Sequence, residues 1–269
     1  MSASTPTDVW RSTDGAAPTA ATDHVVAEEP LEIRIAGQTL SVTMRTPGAD
    51  RELAMGLLYA EGVIAAPHDV LEVRQASGGP TRNVVDVIPA PGVAADLSHL
   101  ARHVIVSSAC GLCGKTTLDA LHRRLPTIDS GVRVGASTLL TLPARLAEAQ
   151  PTFARTGGLH AAALFDAGGT LLAAREDVGR HNAVDKVVGW AFLERRLPLG
   201  HHVLLVSGRA SFEIVQKAIA AGIPVVGAVS APSSAAITLA DQGGQTLIAF
   251  LRPPRLTIYT HRDRLRFGP

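Results

Sequence analysis

The chain has 269 residues, a formal net charge of +1, and 46% hydrophobic and 4% aromatic residues. That is enough apolar material for one large domain or two small ones, and the balanced charge with few aromatics argues against nucleic acid as a partner. Two cysteines are too few for a secreted disulfide scaffold, and no apolar run approaches the roughly 18 residues that span a bilayer, so a soluble, cytoplasmic setting without a membrane anchor is expected.

Residues 1–25 are rich in Ser, Thr, Ala and Pro and have no periodicity, so a disordered tail is expected there. They also lack the basic start and apolar core of a secretory signal. Leu31–Ile35 and Leu40–Met44 alternate apolar and polar residues around Gly37-Gln38, the pattern of a hairpin with one buried face. Arg51–Glu61 carries Leu53, Leu57 and Leu58 at helical spacing and Gly62 stops it. Val70–Arg74 and Asn83–Ile88 follow as strands, then Val104–Val106 as a strand and Thr116–Leu125 as a helix. Residues 26–135 therefore read as a strand-rich N-terminal subdomain.

From residue 136 the texture changes. Leu139–Ala149 reads as a helix with Pro143 in its first turn. Gly158–Phe165 and Thr170–Arg175 flank a hairpin turn, and Asn182–Arg195 is an amphipathic helix. Strands at Val203–Val206, Pro224–Val229 and Thr246–Phe250 then alternate with helices at Phe212–Ala221 and Ser233–Asp241, before a last strand at Leu256–Tyr259. Alternation of this pitch predicts crossover units on a largely parallel sheet covered by helices, an α/β domain over 136–269. The arginines beyond it (Arg262, Arg264, Arg266) read as a solvated end.

Chemistry concentrates first at Ser107–Lys115, which holds Cys110 and Cys113 as a Cys-x-x-Cys pair between a strand and a helix start. A helix N-terminus and Lys115 both favour a thiolate. Ala109–Thr116 falls one residue short of a phosphate loop: Ala109 replaces the first glycine, and no downstream strand ends in a magnesium-holding Asp. Zinc needs more ligands, and the best histidine, His160, follows the cysteines and lacks the Glu two residues on that deaminases use. Inert packing fits poorly with Gly111 and Gly114 beside the thiols. Sulfur chemistry remains, as a redox pair or as a persulfide carrier, and local spacing does not separate the two.

Three further stretches suit a polar or anionic ligand. Arg175–Asn182 crowds Asp177, Arg180, His181 and Asn182 into a strand-to-helix turn, where the plain alternative is a capped helix with solvated charges. Ser207-Gly208-Arg209-Ala210-Ser211 offers hydroxyls, a guanidinium and free N–H groups between a strand and a helix, and Ser230–Ser234 repeats that geometry one crossover later, with Ser233 also fit to be a simple helix cap. Phe250-Leu251-Arg252-Pro253-Pro254-Arg255 presents two arginines from a proline-stiffened turn, fit for a diphosphate.

With these residues in view the chain resembles the FdhD family, over nearly everything from Glu28 to His261. The resemblance rests on E-E-P-L-E-I-R at Glu28–Arg34, T-M-R-T-P-G at Thr43–Gly48, S-S-A-C-G-L-C-G-K at Ser107–Lys115, G-G-L-H-A-A-A-L-F at Gly157–Phe165, R-E-D-V-G-R-H-N-A-V-D-K at Arg175–Lys186 and S-G-R-A-S-F-E at Ser207–Glu213. Ala109 departs from the Ser or Thr that is frequent in the family.

The resemblance implies a sulfurtransferase required by formate dehydrogenase. It would accept persulfide sulfur from a cysteine desulfurase on Cys110, with Cys113 beside it, and pass that sulfur to the molybdenum cofactor in its bis-molybdopterin guanine dinucleotide form. It further implies cofactor binding by Phe250–Arg255, a C-terminal domain similar to the cytidine deaminase fold (three-layer α/β/α) without its zinc triad or any other metal, and a homodimer. The loops at Arg209 and at Arg252–Arg255 supply a phosphate-binding crevice on this reading, with Arg180 and His181 as a further place for the cofactor and a guanine nucleotide as its mimic. The rivals are a cofactor-holding chaperone for formate dehydrogenase without sulfur transfer, and a thiol–disulfide oxidoreductase.

Overall fold

The computed structural model describes residues 3–75, 80–93 and 125–268. The chain opens with two strands, β1 (Ser4–Arg11) and β2 (Thr19–Val26), paired antiparallel from Ser4↔Val26 to Arg11↔Thr19. This ribbon corrects the expected disordered tail. It has no buried face of its own, which is why its sequence shows no strand-like alternation, and Trp10 stays 75% exposed. Its root is tied down instead: Ala27 N donates to Ala3 O at 3.0 Å, Arg155 reaches Ser4 Oγ, and Val26 packs over Gly158, where a Cβ would lie 2.9 Å from Val26 Cγ1.

A four-stranded sheet follows, in the order β4-β3-β6-β5. Its strands are β3 (Glu29–Ile35), β4 (Gln38–Arg45), β5 (Val70–Gln75) and β6 (Val84–Pro89). The alternation in β3 puts Leu31 and Ile33 on one face with Val85 and Val87 of β6, and α1 (Asp50–Ala60) lays Leu53, Met55 and Leu58 over them. Each such fully buried side chain stabilises the fold by about 1.5–3 kcal/mol. Gly62 at φ +73 turns the chain out of this helix, as its place in the sequence predicts.

The second unit is a six-stranded sheet in the order β13-β12-β11-β10-β8-β9. Before it come a short strand β7 (Val134–Gly135), helix α2 (Ala136–Glu148) and a six-residue helix α3 (Pro151–Thr156). Pro143 lies in the body of α2 and not in its first turn, so one intrahelical donor is missing there. The sheet and its helices then run β8 (His160–Asp166), β9 (Leu171–Asp177), α4 (Arg180–Leu193), β10 (His202–Val206), α5 (Phe212–Ala220), β11 (Val225–Ala228), α6 (Ser234–Gln242), β12 (Thr246–Arg252) and β13 (Arg255–Ile258).

Only the centre is parallel. β10 pairs β11 and β11 pairs β12 in parallel, while β8, β9 and β13 join antiparallel. The expected largely parallel sheet is thus a mixed one, because hairpins supply both of its edges. Alternate strand residues sort into two cores. Ala162, Leu164, Leu204, Val206, Val226 and Leu247 pack under α4, α5 and α6, while Ala163, Phe165, Val203, Leu205 and Ile248 pack under α2. The result is three layers, α/β/α, as the fold class requires.

The basic tail is also more structured than expected. Leu265 in β14 (Leu265–Arg266) pairs with Val134, and Arg264 is buried, donating to Ser130 O at 3.2 Å and Ile128 O at 3.4 Å. Arg262 and Arg266 remain exposed. The expected strand at Val104–Val106, the cysteine pair and the helix from Thr116 lie outside the described residues.

Candidate functional site

Parallel pairing brings the carboxyl ends of β10, β11 and β12 to one edge, and main-chain bonds stitch the loops there together. Val229 N donates to Val206 O at 3.0 Å, Ala210 N to Ala231 O at 3.1 Å, Ser233 N to Ala210 O at 3.0 Å and Phe250 N to Ser230 O at 3.1 Å. The stretches 207–211, 229–234 and 250–255, separate in sequence, therefore form one rim, the position where open α/β sheets bind ligands.

Arg252 and Arg255 face each other across the tip of the β12–β13 hairpin, and both are exposed. Arg252 Nε donates to Val229 O at 2.9 Å, which fixes the guanidinium and leaves its outer nitrogens for a ligand. Phe250 is 44% exposed, and φ +49 at this residue accompanies the register shift that lies between Ala249 and Arg252. Pro253 and Pro254 are exposed beside it. Leu251 differs from the rest of that candidate stretch. It is fully buried in the core under α2, so its side chain anchors the turn and does not reach a ligand.

Arg209 is exposed on the middle loop. Below it, Gly208 lets two side chains approach: a Cβ there would lie 3.3 Å from His160 Nδ1 and 3.8 Å from Arg180 Cδ. Arg180 Nε is buried without a hydrogen-bond partner among the described residues. Burial, and then the Arg180 charge, holds the His160 pKa below the usual histidine value. His181 lies deeper. Its Nε2 is 3.1 Å from Ser211 Oγ and its Nδ1 is 3.3 Å from Glu213 Oε2. Burial, followed by Arg180, Lys217 and His160, pushes its pKa down to about 3, so the ring is neutral at physiological pH.

The neighbours of Arg180 and His181 in the sequence serve the fold. Asp177 Oδ2 accepts from Lys186 Nζ at 2.7 Å and from Thr46 N at 3.2 Å, and Asp177 Oδ1 accepts from Gly179 N at 2.8 Å and Asn182 Nδ2 at 2.9 Å. Val178 N donates to Thr46 Oγ1 at 3.1 Å. This clamp joins the β9–α4 turn to the end of β4. Ser233 takes the plain role weighed for it, accepting from Ala236 N at 3.2 Å as the cap of α6. Glu213 is the residue that sequence reading missed, and its place two residues after Ser211 at a helix start was the available signal. A separate cavity of about 500 Å³, lined by Tyr59, Val70, Phe192 and Leu197, opens by the C-terminal end of α4, and none of the candidate site residues lines it.

Comparison with known proteins fits this architecture. The family model described as the FdhD/NarQ family matches residues 26–266. Proteins named sulfur carrier protein FdhD from Mycobacterium tuberculosis and Mycobacterium bovis are each 54% identical over 253 residues, covering 90% of this chain and 92% of theirs. The protein of that name from Streptomyces coelicolor is 53% identical over 265 residues, covering 96% and 94%. A crystal structure assigned provisionally as a formate dehydrogenase accessory protein from Desulfotalea psychrophila shares the fold, with TM-score 0.76, 23% identity and coverage of 98% of this chain and 100% of that one. Among the described residues no helix is long and apolar enough to cross a membrane. The chain belongs to the FdhD/NarQ family.

Proposed function

We propose that this chain is a cytoplasmic sulfur carrier that serves formate dehydrogenase. The observation that carries the reading is half identity over nine-tenths of the chain to proteins named sulfur carriers, in a sequence whose only two cysteines form a Cys-x-x-Cys pair. Cys110, as thiolate, attacks the outer sulfur of a persulfide on a cysteine desulfurase. A Cys110 Sγ–S bond forms, the donor's S–S bond breaks, and the donor cysteine leaves as thiolate. For delivery, Cys113 as thiolate attacks Cys110 Sγ and expels the sulfur as hydrosulfide. The resulting Cys110–Cys113 disulfide is reopened by a dithiol reductant. The hydrosulfide goes to the substrate, the molybdenum cofactor in its bis-molybdopterin guanine dinucleotide form.

The crevice fits such a substrate. Arg209, Arg252 and Arg255 are exposed on its rim, and Arg180 Nε, without a hydrogen-bond partner among the described residues, lies beside Gly208. A dinucleotide carries diphosphates that need this pattern of charge, and Phe250 offers an exposed ring for a planar base. The carrier acts as a homodimer that meets the desulfurase and the dehydrogenase in turn.

Intact-protein mass spectrometry after incubation with a cysteine desulfurase and cysteine tests the carrier role. Wild type is expected to gain sulfur reversibly with reductant, and Cys110→Ala to gain none. No gain by wild type, with cofactor binding intact, would leave a cofactor-holding chaperone. The crevice is tested independently by Arg252→Ala with Arg255→Ala. Each loss of a charge-assisted hydrogen bond costs about 1.5 kcal/mol or more, so guanosine diphosphate affinity is expected to fall by about 100-fold in calorimetry while sulfur loading persists. Unchanged affinity would move the cofactor away from this rim.

A further inference from the structure

The cavity of about 500 Å³ lies apart from the crevice, where the last turns of α1 and α4 bring Tyr59 and Phe192 together. A cavity of roughly 300–1,000 Å³ takes a whole small molecule. The Tyr59 and Phe192 rings meet with centroids 5.9 Å apart and planes inclined by 59°. Pro67, Val70, Leu197 and Pro198 extend this apolar lining, so an occupant gains most by burying an apolar body there.

The polar side chains of the lining carry donors and no carboxylate. The Tyr59 hydroxyl has no hydrogen-bond partner among the described residues, and burial raises its pKa, so it keeps its proton at neutral pH and offers an O–H. Asp69 is close by, but its carboxylate Oδ2 accepts from Ala65 N at 2.7 Å and Ala66 N at 2.9 Å, and its Oδ1 lies 3.7 Å from His68 Nε2. Arg195 lines the cavity with no hydrogen bond or ion pair to its guanidinium among the described residues. A cation at a helix end commonly serves the helix itself. Here Glu194 N, Arg195 N and Arg196 N already donate to Trp190 O, Phe192 O and Ala191 O, so those carbonyls leave the guanidinium little to do. Nor does the backbone favour arginine, since φ +55 just past a helix is ordinarily a place for glycine. Each helix end carries only about half a negative charge, muted by those bonds, whereas Arg195 carries a full positive one.

We propose that this cavity is a binding site for a small apolar carboxylate, whose ring or chain lies against Tyr59 and Phe192 and whose carboxylate is held by Arg195. The Tyr59 hydroxyl adds a donor for an acceptor on the ligand. The site is separate from the crevice and does not depend on how the crevice is used. It shares α4 with the crevice, however: Arg180 and His181 stand in the first turn of that helix and Phe192 in its last, about 20 Å along the axis.

The probes are 4-phenylbutanoate and 3-phenylpropylammonium, which share a phenyl ring on a three-carbon chain and differ in charge, titrated into the full chain and followed by backbone-amide NMR. The carboxylate is expected to bind saturably with a Kd on the order of 1 mM, as suits so few atoms, and about tenfold more tightly than the ammonium. Its shifts should centre on residues 65–70 and 192–198. Arg195→Gly suits the backbone at φ +55 and so keeps the fold. It is expected to weaken the carboxylate by about tenfold and to erase the preference over the ammonium. Tyr59→Phe should weaken it by about threefold, and Arg252→Ala with Arg255→Ala should leave it unchanged. The proposal is overturned by a carboxylate that does not saturate by about 20 mM, well above the expected constant. It is equally overturned by shifts that centre on the crevice loops, or by wild-type affinity in Arg195→Gly. Tighter binding of the ammonium would show instead that the helix ends and the two rings form a cation site.

Discussion

Gly189→Ala is expected to destabilise the fold by about 3 kcal/mol, the upper end of the overpacking range, although the exchange alone would favour a helix by about 1 kcal/mol. Gly189 lies in the interior of α4, where propensity favours alanine. Its backbone, however, touches that of α1. A Cβ at Gly189 would lie 1.8 Å from Glu52 O, and a Cβ at Gly56 would lie 1.9 Å from Asp185 O. Residues 52 and 56 on α1, and 185 and 189 on α4, are four apart and so share one face of each helix. The two helices thus cross with backbone against backbone, and no side-chain rotation relieves an added methyl. The helices must separate, opening both the core beneath α1 and the packing of Phe192, which reaches into that core. Urea denaturation midpoints of wild type, Gly189→Ala and Gly131→Ala provide the check. Gly131 has nothing within 4 Å of its Cβ position, so its exchange should leave the midpoint nearly unchanged. A Gly189→Ala midpoint at or above wild type would show that the helix crossing adapts.

That contact marks the limit of what the sequence discloses. Element existence follows from local pattern: the alternation at Leu31–Ile35, the helical spacing of Leu53 and Leu58, and the strand-then-turn texture around Ser207–Ser211 all appear where expected. The crevice loops were legible for the same reason, since each is a strand-to-helix junction with its own polar residues. Pairing was not legible. Nothing local in His160–Asp166 states that it will run antiparallel to β10, so the sheet reads as more parallel than it is. Nor does Asp177 announce itself as a clamp: its partner Thr46 lies 131 residues away, and only the fold unites them. The same density of charge that made Arg175–Asn182 look functional is shared between two tasks. Arg180 and His181 turn to the crevice, while Asp177 and Asn182 lock the turn that aims them. The N-terminal ribbon escaped notice because a strand pair without a buried face has no hydrophobic signature.

Lys217→Met is expected to be about as damaging as the helix-crossing exchange, at about 3–5 kcal/mol, and to change the site as well. Lys217 Nζ contacts Asp185 Oδ1 at 2.8 Å and Oδ2 at 2.9 Å in a nearly solvent-free position between α4 and α5, with Glu213 Oε1 at 3.8 Å. Burial, followed by Glu213 and Glu61, pushes the Asp185 carboxyl up to about 7 against the pull of Lys217. Burial alone would depress Lys217, but the surrounding carboxylates outweigh it and raise its pKa. Removing the ammonium strands the Asp185 carboxylate and raises its folded pKa further. A carboxyl with a raised folded pKa binds more protons folded than unfolded, so the variant should be most stable near pH 4 and weaken as pH rises towards neutrality. Asp185→Leu combined with Lys217→Met removes both charges and should recover most of the loss, since a buried ion pair exchanged for apolar residues is often close to neutral. Lys217 is also one of the charges that hold His181 neutral. Its loss should raise the His181 pKa even in the double variant, where the fold survives. A pH titration of the His181 ring by NMR, set beside urea midpoints across the same pH range, separates the two effects. A double variant that is stable but has an unmoved His181 would show that the buried pair and the crevice are independent. A moved His181 would show that a core ion pair sets the polarity of the site it supports.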